Sequence, residues 1–265
     1  VNEKKLCGTL SELVKEVHDM GLSFGLWFEP EMISEDSDLY RAHPDWALVI
    51  SGRQPIRSRS QLVLDMSRED VTDYLTERIC DIVEKADIQY IKWDMNRHMC
   101  SVASPALPAE RQDETAFRYM LGVYRLFDWF RRRFPHVLIE NCSGGGGRYD
   151  LGMMKYSSQI WTSDMTGPVQ RIPIQHGSTY GYPPCVMSCH VSDFDGLTAD
   201  AQKLDFAFRV ASGGVLGYEM KLPDMPEAVL QAIKDQIKEY RNYEPLILNG
   251  DFYRVHNPAQ GPYYS

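Results

Sequence analysis

Tyr90-Ile91-Lys92-Trp93-Asp94-Met95-Asn96-Arg97 reads as a buried strand that runs directly into polar chemistry. Ile88, Tyr90 and Ile91 are strand formers, and then Lys92, Asp94, Asn96 and Arg97 crowd charged and amide groups into the last residues. So abrupt a change suits the carboxyl end of a parallel strand opening into a site, as at the strand ends of a βα barrel. Gln159-Ile160-Trp161-Thr162-Ser163-Asp164 has the same design. Two strand-end carboxylates are the minimum equipment for hydrolysing a glycosidic bond.

The flanking sequence supplies the rest of an alternating pattern. Leu10, Leu13, Val14 and Val17 recur at helical spacing after Thr9, predicting a helix over 9–20 closed by Gly21, and Phe24 to Phe28 follows as a strand ending in Glu29-Pro30-Glu31. Residues 32–60 read as one long loop, with Gln61 to Asp65 a short strand or hairpin arm. Ser67 is expected to cap a helix that turns Val71, Leu75, Ile79 and Ile82 inward. The next helix carries Phe117, Leu121, Tyr124 and Phe127 and ends at Arg131-Arg132-Arg133, which face solvent. Val137 to Glu140 is a strand running into Asn141-Cys142-Ser143-Gly144-Gly145-Gly146-Gly147-Arg148, whose glycines let backbone approach a ligand closely. That loop is neither a dinucleotide fingerprint nor a Walker motif. Residues 167–184 look like a Gly/Pro-punctuated connection, and Val186 to Val191 is a strand ending in Ser192-Asp193. A helix over 198–212, a strand over Val215 to Glu219 and a helix bearing Val229, Leu230, Ile233, Ile237 and Tyr240 complete the pattern.

Six strands, ending near residues 29, 95, 141, 164, 192 and 219 and separated by helices or long loops, imply a parallel sheet. The expected fold class is α/β: an incomplete (β/α)8 TIM barrel over 1–244, followed by the start of a C-terminal β domain over 245–265. A closed barrel needs further strands upstream of Val1, so the chain is expected to be part of a longer protein.

Composition narrows the partners. The 265 residues are 43% hydrophobic and 25% charged, as in an ordinary globular domain. A net charge of −9 and a pI near 5.3 do not favour nucleic acid or an anionic membrane, and a neutral small molecule fits better. No run approaches the roughly 18 apolar residues of a membrane span. The six scattered cysteines lack a disulfide rhythm, which favours reduced thiols and a cytoplasmic location. Cys185, Cys189 and His190 have no second ligand cluster at zinc spacing, so neither a metal nor a cofactor is expected.

Taken together, Gly25-Leu-Trp-Phe-Glu-Pro-Glu31, Lys92-Trp-Asp-Met-Asn-Arg97, Glu140-Asn-Cys-Ser-Gly-Gly-Gly-Gly-Arg148 and Trp161-Thr-Ser-Asp164 resemble the α-galactosidases of glycoside hydrolase family 36. The resemblance runs in order from about Asn2 to Arg254, and implies strands three to eight of the barrel. It implies a retaining double displacement, with Asp94 as the nucleophile and Asp164 as the acid/base. Retention requires the two carboxyl groups about 5 Å apart. Lys92 would bind a sugar hydroxyl and help keep the nucleophile ionised, while Trp27, Arg59, Cys142, Gly144 and Gly145 match pocket positions. The implied substrates are α-galactosides such as melibiose and raffinose, and a homo-oligomer of the longer protein stays open.

Asp164-Met165-Thr166-Gly167-Pro168 departs from the family's usual order after the acid/base, which leaves the leaving-group side and the sugar open. An α-N-acetylgalactosaminidase, a non-catalytic carbohydrate-binding relative and a phosphate-binding barrel enzyme are the competing readings. The last conflicts with Glu140 and Asp150 flanking the glycine loop. Relatives also take galactose ligands from earlier strands, so the isolated chain is expected to hydrolyse little. Glu29, Glu31 and Glu219 are read as supporting acids, and His98, His176 and His190 as ordinary polar residues.

Overall fold

Capping chemistry sets the first elements of the computed structural model, which describes residues 2–192 and 200–258. The Asn2 side chain caps α1 (Glu3–Leu6), and Thr9 and Glu12 exchange hydrogen bonds in a capping box that starts α2 (Leu10–Asp19). The chain forms two compact units, Val1–Ser143 with Lys155–Ser157, and Gly144–Met154 with Ser158–Ser265.

In the first unit, β1 (Gly25–Phe28) is followed by β2 (Met32–Ile33), α3 (Asp38–Ala42), β3 (Leu62–Val63), α4 (Glu69–Ala86), β4 (Tyr90–Trp93), α5 (Thr115–Arg133) and β5 (Leu138–Asn141). β1, β4 and β5 pair in parallel, with Trp27 opposite Lys92 and Lys92 opposite Glu140. Along β4, Ile91 and Trp93 are buried and Tyr90 and Lys92 are half-buried, the alternation a strand imposes on its two faces. Trp93 packs its ring 4.7 Å from that of Phe127 on α5.

Three local expectations need correction here. The stretch 32–60 is more than a loop: Met32 and Ile33 are buried and pair antiparallel with β3, and α3 follows. Arg68, not Ser67, stands at the N-cap of α4 and gives no side-chain cap. Ser67 instead donates to the buried Asp65 carboxylate, and Arg68 holds the Asp70 carboxyl below the usual carboxylate range. On α5, Phe117 and Leu121 are 69% and 49% exposed, while Tyr119, Val123, Leu126, Phe127 and Phe130 are buried.

The orientation of α5 follows from a single close approach. A Cβ at Gly122 would lie 1.7 Å from the Met66 carbonyl oxygen, so only glycine lets that helix face meet the backbone leading into α4. Gly122→Ala is therefore expected to cost about 3 kcal/mol through overpacking, read as a lower urea midpoint. Gly177, with nothing near its missing Cβ, is the control: Gly177→Ala should instead stabilise by up to about 1 kcal/mol.

The second unit contains α6 (Leu151–Met154), β6 (Gln159–Trp161), α7 (Pro168–Ser178), β7 (Met187–Ser192), α8 (Ala201–Ala211), β8 (Val215–Glu219) and α9 (Glu227–Asn249). β6, β7 and β8 pair in parallel, with Trp161 opposite Ser188 and His190 opposite Gly217. Met187, Cys189 and Val191 of β7 form a core with Leu204, Ala207 and Phe208 of α8 and Ile233 and Tyr240 of α9. Asp200 caps α8 through bonds from the backbone of Gln202 and Lys203. Asp193 and Thr198, placed by sequence at a strand end and a helix start, lie outside the described residues.

Residues 167–184 are not simply a connection. Pro168 occupies the first turn of α7, where its missing N–H costs nothing, and Pro173 sits inside the helix. α9 likewise runs through Pro245 to Asn249, so Leu246 to Asn249 are helical where a β segment is expected. Among the described residues from Gly250 to Pro258 there is no strand, and Arg254 there donates to the Thr179 carbonyl at 2.8 Å. All six expected parallel strands are present, three in each unit. All six cysteines are free, and no described helix is long and apolar enough to cross a membrane.

Candidate active site

β1 stops where Pro30 removes a backbone donor, and this leaves Glu29 and Glu31 just past the strand's end. Glu31 is fully buried and structural: its carboxylate accepts from the Trp93 indole N–H at 2.8 Å and from the Tyr119 hydroxyl at 2.5 Å. Glu29, with its side chain 6% exposed, accepts from Asn96 Nδ2 at 2.7 Å and from Arg59 at 3.2 Å.

Asp94 lies one residue past β4 and is 6% exposed. Its Oδ1 accepts the Met95 backbone N–H at 2.9 Å. Its Oδ2 accepts Asn96 Nδ2 at 2.5 Å and the Trp27 indole N–H at 3.2 Å. The Asp94 backbone N–H donates to the Phe28 carbonyl at 2.8 Å, extending the β1–β4 ladder and aligning the carboxylate with the end of β1. Three N–H donors thus converge on one carboxylate and fix its orientation.

Lys92 and Glu140 are Cα partners across β4 and β5, and their side chains pair at 2.8 Å. The Tyr90 hydroxyl donates to the other Glu140 oxygen. The partner acid of Lys92 could have been found from register: aligning the ends of the two strands puts Glu140 opposite it. Cys142 is buried, its backbone donating to the Trp93 carbonyl at 2.7 Å and accepting from Met95 at 3.1 Å, which binds the start of the glycine loop to the strand carrying Asp94.

Arg59 sits in a two-residue turn. Ser58 and Gln61 exchange backbone hydrogen bonds at 3.2 and 3.0 Å, and the central Arg59 and Ser60 take φ of 52° and 60°. This is the conformation of a type I′ hairpin turn, normally built from Asn-Gly, and non-glycine residues there carry a strain of about 1–2 kcal/mol each. Arg97 clamps the base of the turn by donating to the Gln61 carbonyl at 2.6 Å and to that of Ile56. The Arg59 side chain is 54% exposed and pairs with Glu29.

In the second unit, the Trp161 indole N–H donates to Asp164 Oδ1 at 2.9 Å. The Arg171 guanidinium lies 4.5 Å over the Trp161 ring, and the His190 ring centroid is also 4.5 Å away, so the indole that orients Asp164 is itself gripped. Unlike Asp94, Asp164 is exposed. Gly144 and Gly145 have φ of 53° and 85°, and a Cβ on Gly145 would come within 3.0 Å of the Asp164 backbone nitrogen. One on Gly146 would meet the Thr162 carbonyl oxygen at 2.5 Å. The glycine loop thus packs its bare backbone on Thr162–Asp164, the close approach its composition implies.

The structure therefore joins Trp27 to Asp94 and Gly145 to Asp164, and holds Lys92 and Arg59 through the acids Glu140 and Glu29. Asn96, Glu140, Trp161 and Gly146 are the participants whose contacts sequence reasoning missed. Among the described residues, no group of three or more His, Cys, Asp or Glu could hold a metal ion.

Comparison with known proteins concerns the chain as a whole. The Melibiase family model matches residues 1–250. Alpha-galactosidase AgaA of Geobacillus stearothermophilus is 48% identical over 262 residues, covering 98% of this chain and 36% of its own. The bifunctional alpha-galactosidase/sucrose kinase AgaSK of Mediterraneibacter gnavus is 45% identical over 259 residues, covering 97% and 27%. The crystal structure of AgaA superposes with a TM-score of 0.94, and a variant of AgaA in complex with raffinose with 0.93 at 47% identity, each covering 98% of this chain and 36% of the other. The chain thus spans about a third of the length of these relatives.

Proposed function

The chain belongs to the Melibiase family, and on that premise we propose that it carries the catalytic carboxylates of a retaining exo-α-galactosidase acting on terminal α-linked galactose in oligosaccharides such as melibiose and raffinose. The observation that carries this is Asp94: a nearly buried strand-end carboxylate held by Trp27, Asn96 and the Met95 backbone. Its relative AgaA, in variant form, has been crystallised with raffinose.

In the proposed cycle, an Asp94 oxygen bonds to the anomeric carbon as the glycosidic C–O bond breaks, and Asp164 gives its proton to the departing oxygen. Water then attacks the galactosyl ester, Asp164 takes a proton from it, and Asp94 leaves as a carboxylate. Asp94 suits the first role because its donors fix the carboxylate at the end of β4 and leave a lone pair on Oδ1 for attack. Asp164 suits the second because it is exposed, where water and a leaving group can exchange protons with it.

The test is hydrolysis of aryl α-galactoside and aryl α-N-acetylgalactosaminide by the full-length product of the gene. Preferential release from the galactoside is the expected result. Preference for the acetamido sugar would move the assignment to an α-N-acetylgalactosaminidase, and turnover of neither would leave a carbohydrate-binding role.

A further inference from the structure

Asp94 does not hold its position by itself. Its Oδ2 has both lone pairs engaged, by the Trp27 indole at 3.2 Å and the Asn96 amide at 2.5 Å, whereas Oδ1 takes a single bond from the Met95 backbone. An amide group can turn over and present its oxygen instead of its nitrogen, which here would set oxygen against carboxylate. The group that opposes this is Glu29, whose Oε1 accepts from the same Asn96 Nδ2 at 2.7 Å. One amide nitrogen thus bridges two acids, each of which requires a donor there. Glu29 in turn takes Arg59 at 3.2 Å from a strained turn whose base Arg97, the residue after Asn96, clamps. The links run from the nucleophile's strand end, through the turn, and back to the nucleophile.

We propose that Asn96 and Glu29 are positioning residues for the nucleophile: Glu29 locks the Asn96 amide with its nitrogen toward Asp94, and that amide fixes Oδ2 so that Oδ1 keeps a free lone pair for attack. The strain in the Arg59–Ser60 turn gives this circuit a purpose. An Asn-Gly turn would form more easily, but it would not supply the guanidinium that holds Glu29 facing Asn96. A bridging amide of this kind contributes to rate through orientation, and losing it is expected to cost about 10²-fold in kcat with little change in KM.

The inference rests on the galactosidase reading, so its test has two arms. In the full-length gene product, assayed on aryl α-galactoside, Asn96→Ala and Glu29→Ala should each lower kcat about 10²-fold while KM stays within about threefold. Glu29→Gln keeps a carbonyl acceptor for the Asn96 nitrogen, and should recover kcat to within about tenfold of wild type. In the same full-length product with isotope-labelled asparagine, the Asn96 side-chain amide protons, followed by NMR, should exchange slowly with solvent in wild type and in Glu29→Gln, and rapidly in Glu29→Ala.

Unchanged kcat in Glu29→Ala, or Asn96→Ala raising KM alone, would overturn the proposal, since the side chains would then serve substrate binding or nothing. So would amide exchange indifferent to Glu29. If wild type itself turns over no galactoside, the functional reading fails instead, and the exchange arm alone decides whether Glu29 locks Asn96.

Discussion

Asp94→Ala in the full-length protein is expected to slow hydrolysis of aryl α-galactoside on the order of 10⁴- to 10⁶-fold, the scale of removing a nucleophile from a covalent mechanism. The fold should survive, because the partners left behind can be hydrated: Trp27 is 48% exposed and Asn96 is half-buried. A thermal melt within a few degrees of wild type, about what a small stability change gives, separates lost chemistry from lost structure. Azide supplies the sharper reading. It is small enough to enter the space the carboxylate vacates and to attack the anomeric carbon from the face Asp94 would have used, expelling the aryl oxygen in a single displacement. One displacement inverts the centre, so the product should be β-galactosyl azide. An Asp94→Ala enzyme that retains more than about a tenth of wild-type kcat would show that another group performs the displacement.

How far the sequence reveals the candidate site depends on whether the signal is local. Asp94 and Asp164 are legible because a strand that changes from apolar to charged within a residue or two can only be leaving the core. Glu31 is legible in part: Pro30 marks the strand's end, and the structural role expected for it is met by Trp93 and Tyr119. The Arg59–Ser60 turn is not legible, because its backbone is stabilised by Arg97 and used by Glu29, both distant in sequence, and it lacks the Asn-Gly signature. The face of α5 was missed for the same reason. Hydrophobicity favours turning Phe117 and Leu121 inward, yet the backbone contact that Gly122 permits with Met66 fixes the rotation. α7 was hidden by Pro168, which reads as a breaker unless one knows that it occupies the first turn.

Asp164→Ala is expected to separate substrates by their leaving groups, which Asp94→Ala cannot do. A sugar leaving group, as in melibiose, departs as an alkoxide unless protonated, so kcat/KM for it should fall by about 10²- to 10⁴-fold. A dinitrophenolate needs no proton to leave, and kcat/KM for dinitrophenyl α-galactoside should fall less than about tenfold, because Asp94 still attacks. Its kcat should nevertheless drop sharply: the galactosyl ester on Asp94 then waits for water with no base to activate it, and accumulates. Azide, which needs no base, should relieve that step by a second displacement and give α-galactosyl azide. The two variants thus predict opposite anomers from one reagent, β when the nucleophile is missing and α when the acid/base is missing. Exchange of those outcomes would reverse the two roles. Equal losses on both substrates without azide rescue would instead make Asp164 a structural acid, with its bond from Trp161 serving the strand end alone and the proton coming from elsewhere.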